Sequence, residues 1–153
     1  MSQERYAPPK AELNLAPQSG GQNGPRLHSL SAIGLATFFG GPFAAGYLIY
    51  RNYSSLGQPS KANQAIGWFG AGGLAALYVA WHTPPDFISF MLSVGIPQLV
   101  VVLVASRLMQ GKAIAAHRLA GGEMQSSWFA IAVGIAMGLA VKALSYGVSY
   151  VLV

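Results

Sequence analysis

Hydrophobic and polar positions along the chain segregate into long blocks. The first uncharged apolar block runs from Leu30 to Tyr50 and the second from Ala65 to Trp81. The third runs from Phe87 to about Ser106, and the fourth from Trp128 to Val153, where Lys142 is the one charge. A bilayer core about 30 Å thick takes roughly 20 apolar residues of helix. The pattern therefore predicts an all-α, polytopic helical membrane protein with four apolar segments, three or four of them transmembrane. Ahead of them, residues 1–29 form a polar tail containing Pro8, Pro9, Pro17, Gly20, Gly21, Gly24 and Pro25. Such a stretch buries too little apolar surface to offset its ordering entropy, and it reads as disordered. Residues 30–153 then make up one helical membrane domain.

Two of the blocks are interrupted. Gly40-Gly41-Pro42 stands in the middle of the first, where Pro42 removes a helix hydrogen bond. Pro97-Gln98 interrupts the third in the same way and adds a polar neighbour. Aromatic residues mark the block edges, with Tyr50 and Tyr53 after the first, Trp68, Tyr78 and Trp81 bounding the second, and Trp128, Tyr146 and Tyr150 in the fourth. Amphipathic rings are expected at headgroup depth.

Composition supports the membrane reading. Of 153 residues, 53% are hydrophobic and 8% charged, with mean hydropathy +0.44, whereas soluble domains carry about 25% charged residues. The net charge of +5 would raise nucleic acid as a partner in a soluble protein. Here Lys and Arg flank apolar blocks, so anionic lipid headgroups are the expected counter-charge and nucleic acid is not. Cysteine is absent, which excludes disulfides, thiolate metal sites and a cysteine nucleophile. The first apolar block is too long for the core of a cleavable signal.

Counting Lys and Arg on each side gives two topologies. If all four blocks cross, the most common design, the basic loops (Arg51, Lys61, Arg107, Lys112, Arg118) lie opposite the tail (Arg5, Lys10, Arg26), a weak bias of five against three. If residues 30–50 instead enter and return on one side, bending at Gly40-Gly41-Pro42, the tail and both basic loops are cytoplasmic together. The turn His82-Thr83-Pro84-Pro85-Asp86, which has no Lys or Arg, then faces outside. The sequence admits both a kinked span and a re-entrant segment.

Few residues carry candidate chemistry. Lys142 is an ionisable group in an apolar block, which marks a functional position or a side chain that snorkels to the headgroups. Ala130, Gly134, Gly138 and Lys142 recur every four residues on one helix face and include a GxxxG pattern, a seam for close helix packing within the chain or with a second copy. Gly67, Ala71 and Ala75, with Trp68, Gly72 and Ala76 alongside, make similar stripes in the second block. Gly40, Gly41, Pro42, Pro97 and Gln98 are the places where freed backbone groups could line a site. Arg51, Asn52 and Tyr53 form a polar-aromatic corner in which Asn52 is expected to cap a turn and Gly57 to stop the helix. Gly121-Gly122 is the expected stop of the third helix.

No catalytic constellation is visible. His28, His82 and His117 lack the spacing of a metal site, and HExxH, Walker A, GxSxG and GxGxxG are absent. No cofactor or enzymatic activity is expected. Asp86 and Glu123, the only acids beyond the tail, lie in loops, which speaks against a proton- or sodium-coupled carrier and against a lipid-modifying enzyme.

The stretch Ala36-Thr37-Phe38-Phe39-Gly40-Gly41-Pro42-Phe43-Ala44-Ala45-Gly46-Tyr47-Leu48-Ile49-Tyr50-Arg51-Asn52-Tyr53, with Leu56-Gly57 after it, resembles a motif of small bacterial multi-pass membrane proteins of uncharacterised function. Gly121-Gly122-Glu123 with Ser126, Ser127 and Trp128 is similar to the approach to their last helix. The resemblance implies a bacterial inner-membrane location and supplies no activity. The leading expectation is a non-enzymatic accessory or scaffold subunit that packs through its small-residue seams, with a homo-oligomer or another membrane protein as partner. The alternative is a small transporter or channel component built on the broken helices and Lys142.

Overall fold

A computed structural model describes residues 24–152, and these are almost wholly helical. Helix α1 covers Leu30–Ser55, α2 Pro59–His82, α3 Phe87–Leu119 and α4 Ser127–Leu152. Three stretches, Leu30–Ser55, Phe87–Leu119 and Ser127–Val148, are long and apolar enough to cross a membrane. Helix α2 is of similar length and carries one formal charge, Lys61, near its start.

Helix α1 is not straight. Gly41, with φ 65° and ψ −162°, sits in a non-helical conformation between two helical arms. That region of backbone space is essentially reserved for glycine, and Pro42, its φ preset, opens the second arm. Residues 28 and 52 would lie about 36 Å apart on an unbroken helix. Instead the His28 N–H donates to Asn52 Oδ1 at 2.7 Å. The two arms therefore fold back into a hairpin whose ends share one edge of the molecule, the base, and whose tip is Gly40-Gly41-Pro42. Length and composition alone would let Leu30–Ser55 cross a bilayer; the meeting of its two ends shows that it turns back.

The other helices pack around this hairpin more than on one another. Helix α4 runs beside the first arm. A methyl added at Gly134 would meet Ala36 O at 2.8 Å, and one added at Gly138 would collide with Phe39 O. The small-residue seam of α4 is thus used within the chain, where it lets two backbones touch. Helix α2 runs antiparallel to the second arm, with Gly73 against the Phe43 ring and Phe69 against Gly46. Helix α3 descends from tip to base, with Leu103 against Gly34 and Tyr53 Oη donating to Met109 O at 2.8 Å. The buried core, which includes Ile33, Ala36, Ala45, Leu48, Ile49, Ala65, Phe69, Val102 and Ala130, is accordingly the surface of the hairpin.

Three local expectations change. Pro97 does not break α3. The residues just before it, Met91–Gly95 and their cap Ile96, form a π turn in which the Ile96 N–H bonds Met91 O, and this wider turn accommodates the missing proline N–H. Asn52 caps no turn with its side chain, which is fully buried and points across the base. The folded region also begins before Leu30: Leu27 and His28 are buried, and Leu27 pairs with the segment around Met124 through Leu27 N to Glu123 O at 3.3 Å and Gln125 N to Leu27 O at 2.8 Å. The rest of the predicted tail, residues 1–23, lies outside the described residues.

Gly57 and Gly121 end their helices with φ 67° and 75°, as the sequence pattern anticipates. Helix α2 starts at Pro59, ahead of the apolar block, so Trp68 lies well inside it on the outer surface, whereas Trp81 and Trp128 stand exposed near helix ends.

Candidate functional site

The hairpin stops partway along the molecule, and this creates a space. Beyond Gly41 the three outer helices continue, and no part of α1 lies between them. The result is a cavity of about 620 Å³, within the size range of small-molecule sites. Its floor is the tip, from Phe38 to Phe43. Its walls come from α2 through Gly73, Ala76, Leu77 and Ala80, from the π turn and the residues after it through Met91, Val94 and Gln98, and from α4 through Gly138, Val141, Lys142, Ser145 and Tyr146.

The surroundings are apolar with few polar groups. Lys142, one turn beyond Gly138, is the single charged residue of the lining. The two acids of the described residues are elsewhere. Glu123 pairs with Arg26 at 2.7 Å at the base, and Asp86 caps the start of α3 by accepting from Ser89 N at 2.9 Å. Asp86 is fully exposed, and its bond from Ser89 holds its carboxyl below the usual carboxylate range. Gln98 reaches the tip: its Oε1 lies 3.6 Å from where a Cβ would stand on Gly41. Gln98 and Pro42 also line a second, uncharged groove of about 800 Å³ between α2 and α3, so the two spaces adjoin at the tip.

Of the residues singled out by sequence, Gly40, Gly41, Pro42, Gln98, Gly138 and Lys142 meet in this one cavity. Pro97 lines the adjoining groove, and Gly134 packs a turn below the tip. Arg51, Asn52 and Tyr53 sit at the opposite end, in the base. There Asn52 Nδ2 donates to His28 O and to Gln110 Oε1, each at 2.9 Å, and Gln110 Nε2 donates to Ile49 O at 2.9 Å. Arg51 is exposed and near Tyr47, with Nη1 to Oη at 3.4 Å.

Sequence reasoning missed Gln110 and His28. Gln110 falls in the stretch where only Lys and Arg are singled out by the sequence, although it lies on the same helix face as Ser106, four residues earlier, and both are fully buried. His28 stacks on Phe129 with ring centroids 5.6 Å apart, and its Nδ1 is buried without a partner. Burial, and then the Arg51 charge, lower its pKa from 6.5 to about 4. Among the described residues no group of three His, Cys, Asp or Glu side chains could hold a metal. Searches against protein families, characterised proteins and solved structures find no match for the chain.

Proposed function

We propose that this is a membrane-embedded transport protein or channel component, of the bacterial inner membrane, in which α2, α3 and α4 cross the bilayer and α1 is re-entrant. The observation that carries the reading is the hairpin that ends beneath a cavity containing Lys142. Irregular backbone at membrane depth is tolerated where it is buried in protein or lines a cavity, and broken helices with such cavities are how carriers build sites. The dimensions agree. The arm from Pro42 to Ser55 rises about 20 Å and α2 continues about 13 Å past Gly73, together close to one hydrocarbon thickness. The charges agree as well, since Arg26, Arg51, Lys61, Arg107, Lys112 and Arg118 all belong to the base half, which supports a cytoplasmic base on the positive-inside rule. On this placement lipids are the immediate partners.

The test is flux. Purified protein in proteoliposomes should move at least one member of a panel of ions, small metabolites and single-chain anionic amphiphiles, and Lys142→Ala should change that flux. No flux across a broad panel overturns the reading.

One observation favours an accessory or scaffold role as a second reading. Gly67, Ala71, Gly72 and Ala75 lie on the exposed surface of α2, and a Cβ built at Gly67 or Gly72 meets nothing within 4 Å. Gly72→Leu should then abolish a crosslinked dimer or a co-purifying membrane partner. A wild-type protein that stays monomeric in mild detergent and crosslinks to nothing in membranes ends that reading.

A further inference from the structure

We propose that the cavity above the hairpin tip binds a single-chain anionic lipid, its anionic head on Lys142 and its hydrocarbon tail on the apolar walls. The inference rests on the membrane placement and transport reading above and names the substrate class of that site.

Three observations lead to it. The first is access. Helices α2, α3 and α4 are held together chiefly by the hairpin between them, and above Gly41 the hairpin is gone. On the proposed placement the gaps beside α4 then open sideways into the outer half of the hydrocarbon. A solute that arrives by that route must be soluble in lipid, and the walls suit one, with Phe38, Phe43, Ala76, Leu77, Val94 and Val141 facing the space.

The second is charge. Lys142 lines this cavity, and no salt bridge among the described residues involves it. Lys142 is exposed on this wall; on the proposed placement it stands within the hydrocarbon, where a cation without a counter-ion is costly and an anionic ligand group offsets that cost. Other polar atoms nearby are those of an amide and a phenol (Gln98 and Tyr146), which add hydrogen-bonding capacity without competing charge.

The third is size and shape. A space of about 620 Å³ with one charged residue on one wall has room for an acyl chain beneath a single anionic head. Lys142 stands a single helical turn, about 6 Å, beyond Gly138 at the tip. An anion held there leaves the floor beneath it to the tail.

The experiment uses full-length protein in nanodiscs of neutral phosphatidylcholine, with a diazirine-bearing palmitate as the probe and peptide mapping as the readout. Crosslinks are expected in the cavity walls, around residues 73–80, 91–98 and 138–146. Excess palmitate should suppress them, and the neutral C16 alcohol should not. Lys142→Gln should lower them roughly tenfold, and Lys142→Arg should retain them. Ala80→Phe, which fills the space and leaves Lys142 in place, should lower them as well, so that loss does not depend on one variant. Equal competition by the alcohol, labelling spread evenly over the lipid-facing surfaces, or unchanged labelling in Lys142→Gln overturns the proposal and leaves Lys142 as a snorkelling residue. Flux of small ions without cavity labelling defeats this inference and spares the transport reading. Cavity labelling without any flux does the reverse, and the cavity is then a lipid-binding site.

Discussion

The backbone N–H of His28 donates to Oδ1 of Asn52 at 2.7 Å, although 24 positions of sequence separate them and nearly all of the intervening residues are helical. This one contact brings the two ends of α1 together, which supports the proposed re-entrant hairpin over a kinked span. It also fixes where the rest of the chain can go. Asn52 returns a bond to His28 O and another to Gln110, while Gln110 reaches Ile49 O. The residues before α1, both arms' outer ends and the lower half of α3 are tied at one buried node.

Asn52 should therefore matter far more for stability than its position in an exposed-looking polar motif suggests. Asn52→Leu removes the partners of a buried amide, a buried carbonyl and a buried glutamine, each costing about 1–3 kcal/mol when left unsatisfied. The melting temperature in detergent should fall sharply. Arg26→Ala, which removes a half-exposed surface pair with Glu123, should cost under about 1 kcal/mol. Similar melting temperatures for the two variants would show that the node does not hold the hairpin closed.

Gly41→Ala should destabilise by about 1–3 kcal/mol through backbone conformation alone. Space is not the obstacle, since the nearest atom to an added Cβ is Gln98 Oε1 at 3.6 Å. Gly138→Leu fails for the opposite reason, because its side chain would overlap the Phe39 carbonyl. Thermal unfolding of the two variants separates these causes. A second change that shortens the side chain at residue 98 should leave the Gly41→Ala defect intact, and rescue by it would mean that the defect was steric.

How much of this was legible beforehand depends on the range of the interaction. The apolar blocks, the stops at Gly57 and Gly121, and the oddity of Gly40-Gly41-Pro42 are local signals, and each appears where the sequence places it. The hairpin was legible as one of two alternatives, because the positive-inside count favours it while the block length is compatible with a span. Asn52 could not be assigned from local rules, which make an Asn near a helix end a cap; its partners are His28 and Gln110, the latter 58 positions away. Pro97 was read as a break because proline removes a hydrogen bond, and sequence alone does not announce the π turn that absorbs the loss. Lys142 was visible as an isolated charge, but the cavity it faces exists only because α1 stops short.

Topology gives a direct check on the hairpin. The chain has no native cysteine, so single cysteines report cleanly. Cysteines at Ser31, Ser60 and Ser126 should all be protected from a membrane-impermeant maleimide added from outside, and one at Thr83 should label. Residues Ser31 and Ser60 lie on either side of α1, apart from its first turn. If Ser31 labels from outside while Ser60 does not, residues 30–55 cross the bilayer and the re-entrant reading fails.

Acidification should loosen the base through His28. Burial and the Arg51 charge hold its imidazole neutral, with a pKa lowered from 6.5 to about 4. Above about pH 6.5 the ring is neutral whether the chain is folded or not, and stability should not depend on it. Between about 6.5 and 4 the unfolded chain takes up the proton and the folded chain does not, so stability should decline as pH falls, by on the order of 2 kcal/mol, and then level off. His28→Phe keeps a ring against Phe129 and removes the titration. The difference in unfolding free energy between wild type and this variant should therefore change across that window and be constant above it. Arg51→Gln should raise the folded-state pKa and narrow the window from its acid side. A wild-type pH profile that His28→Phe leaves unaltered would mean that protonation of this buried ring is not what weakens the base in acid.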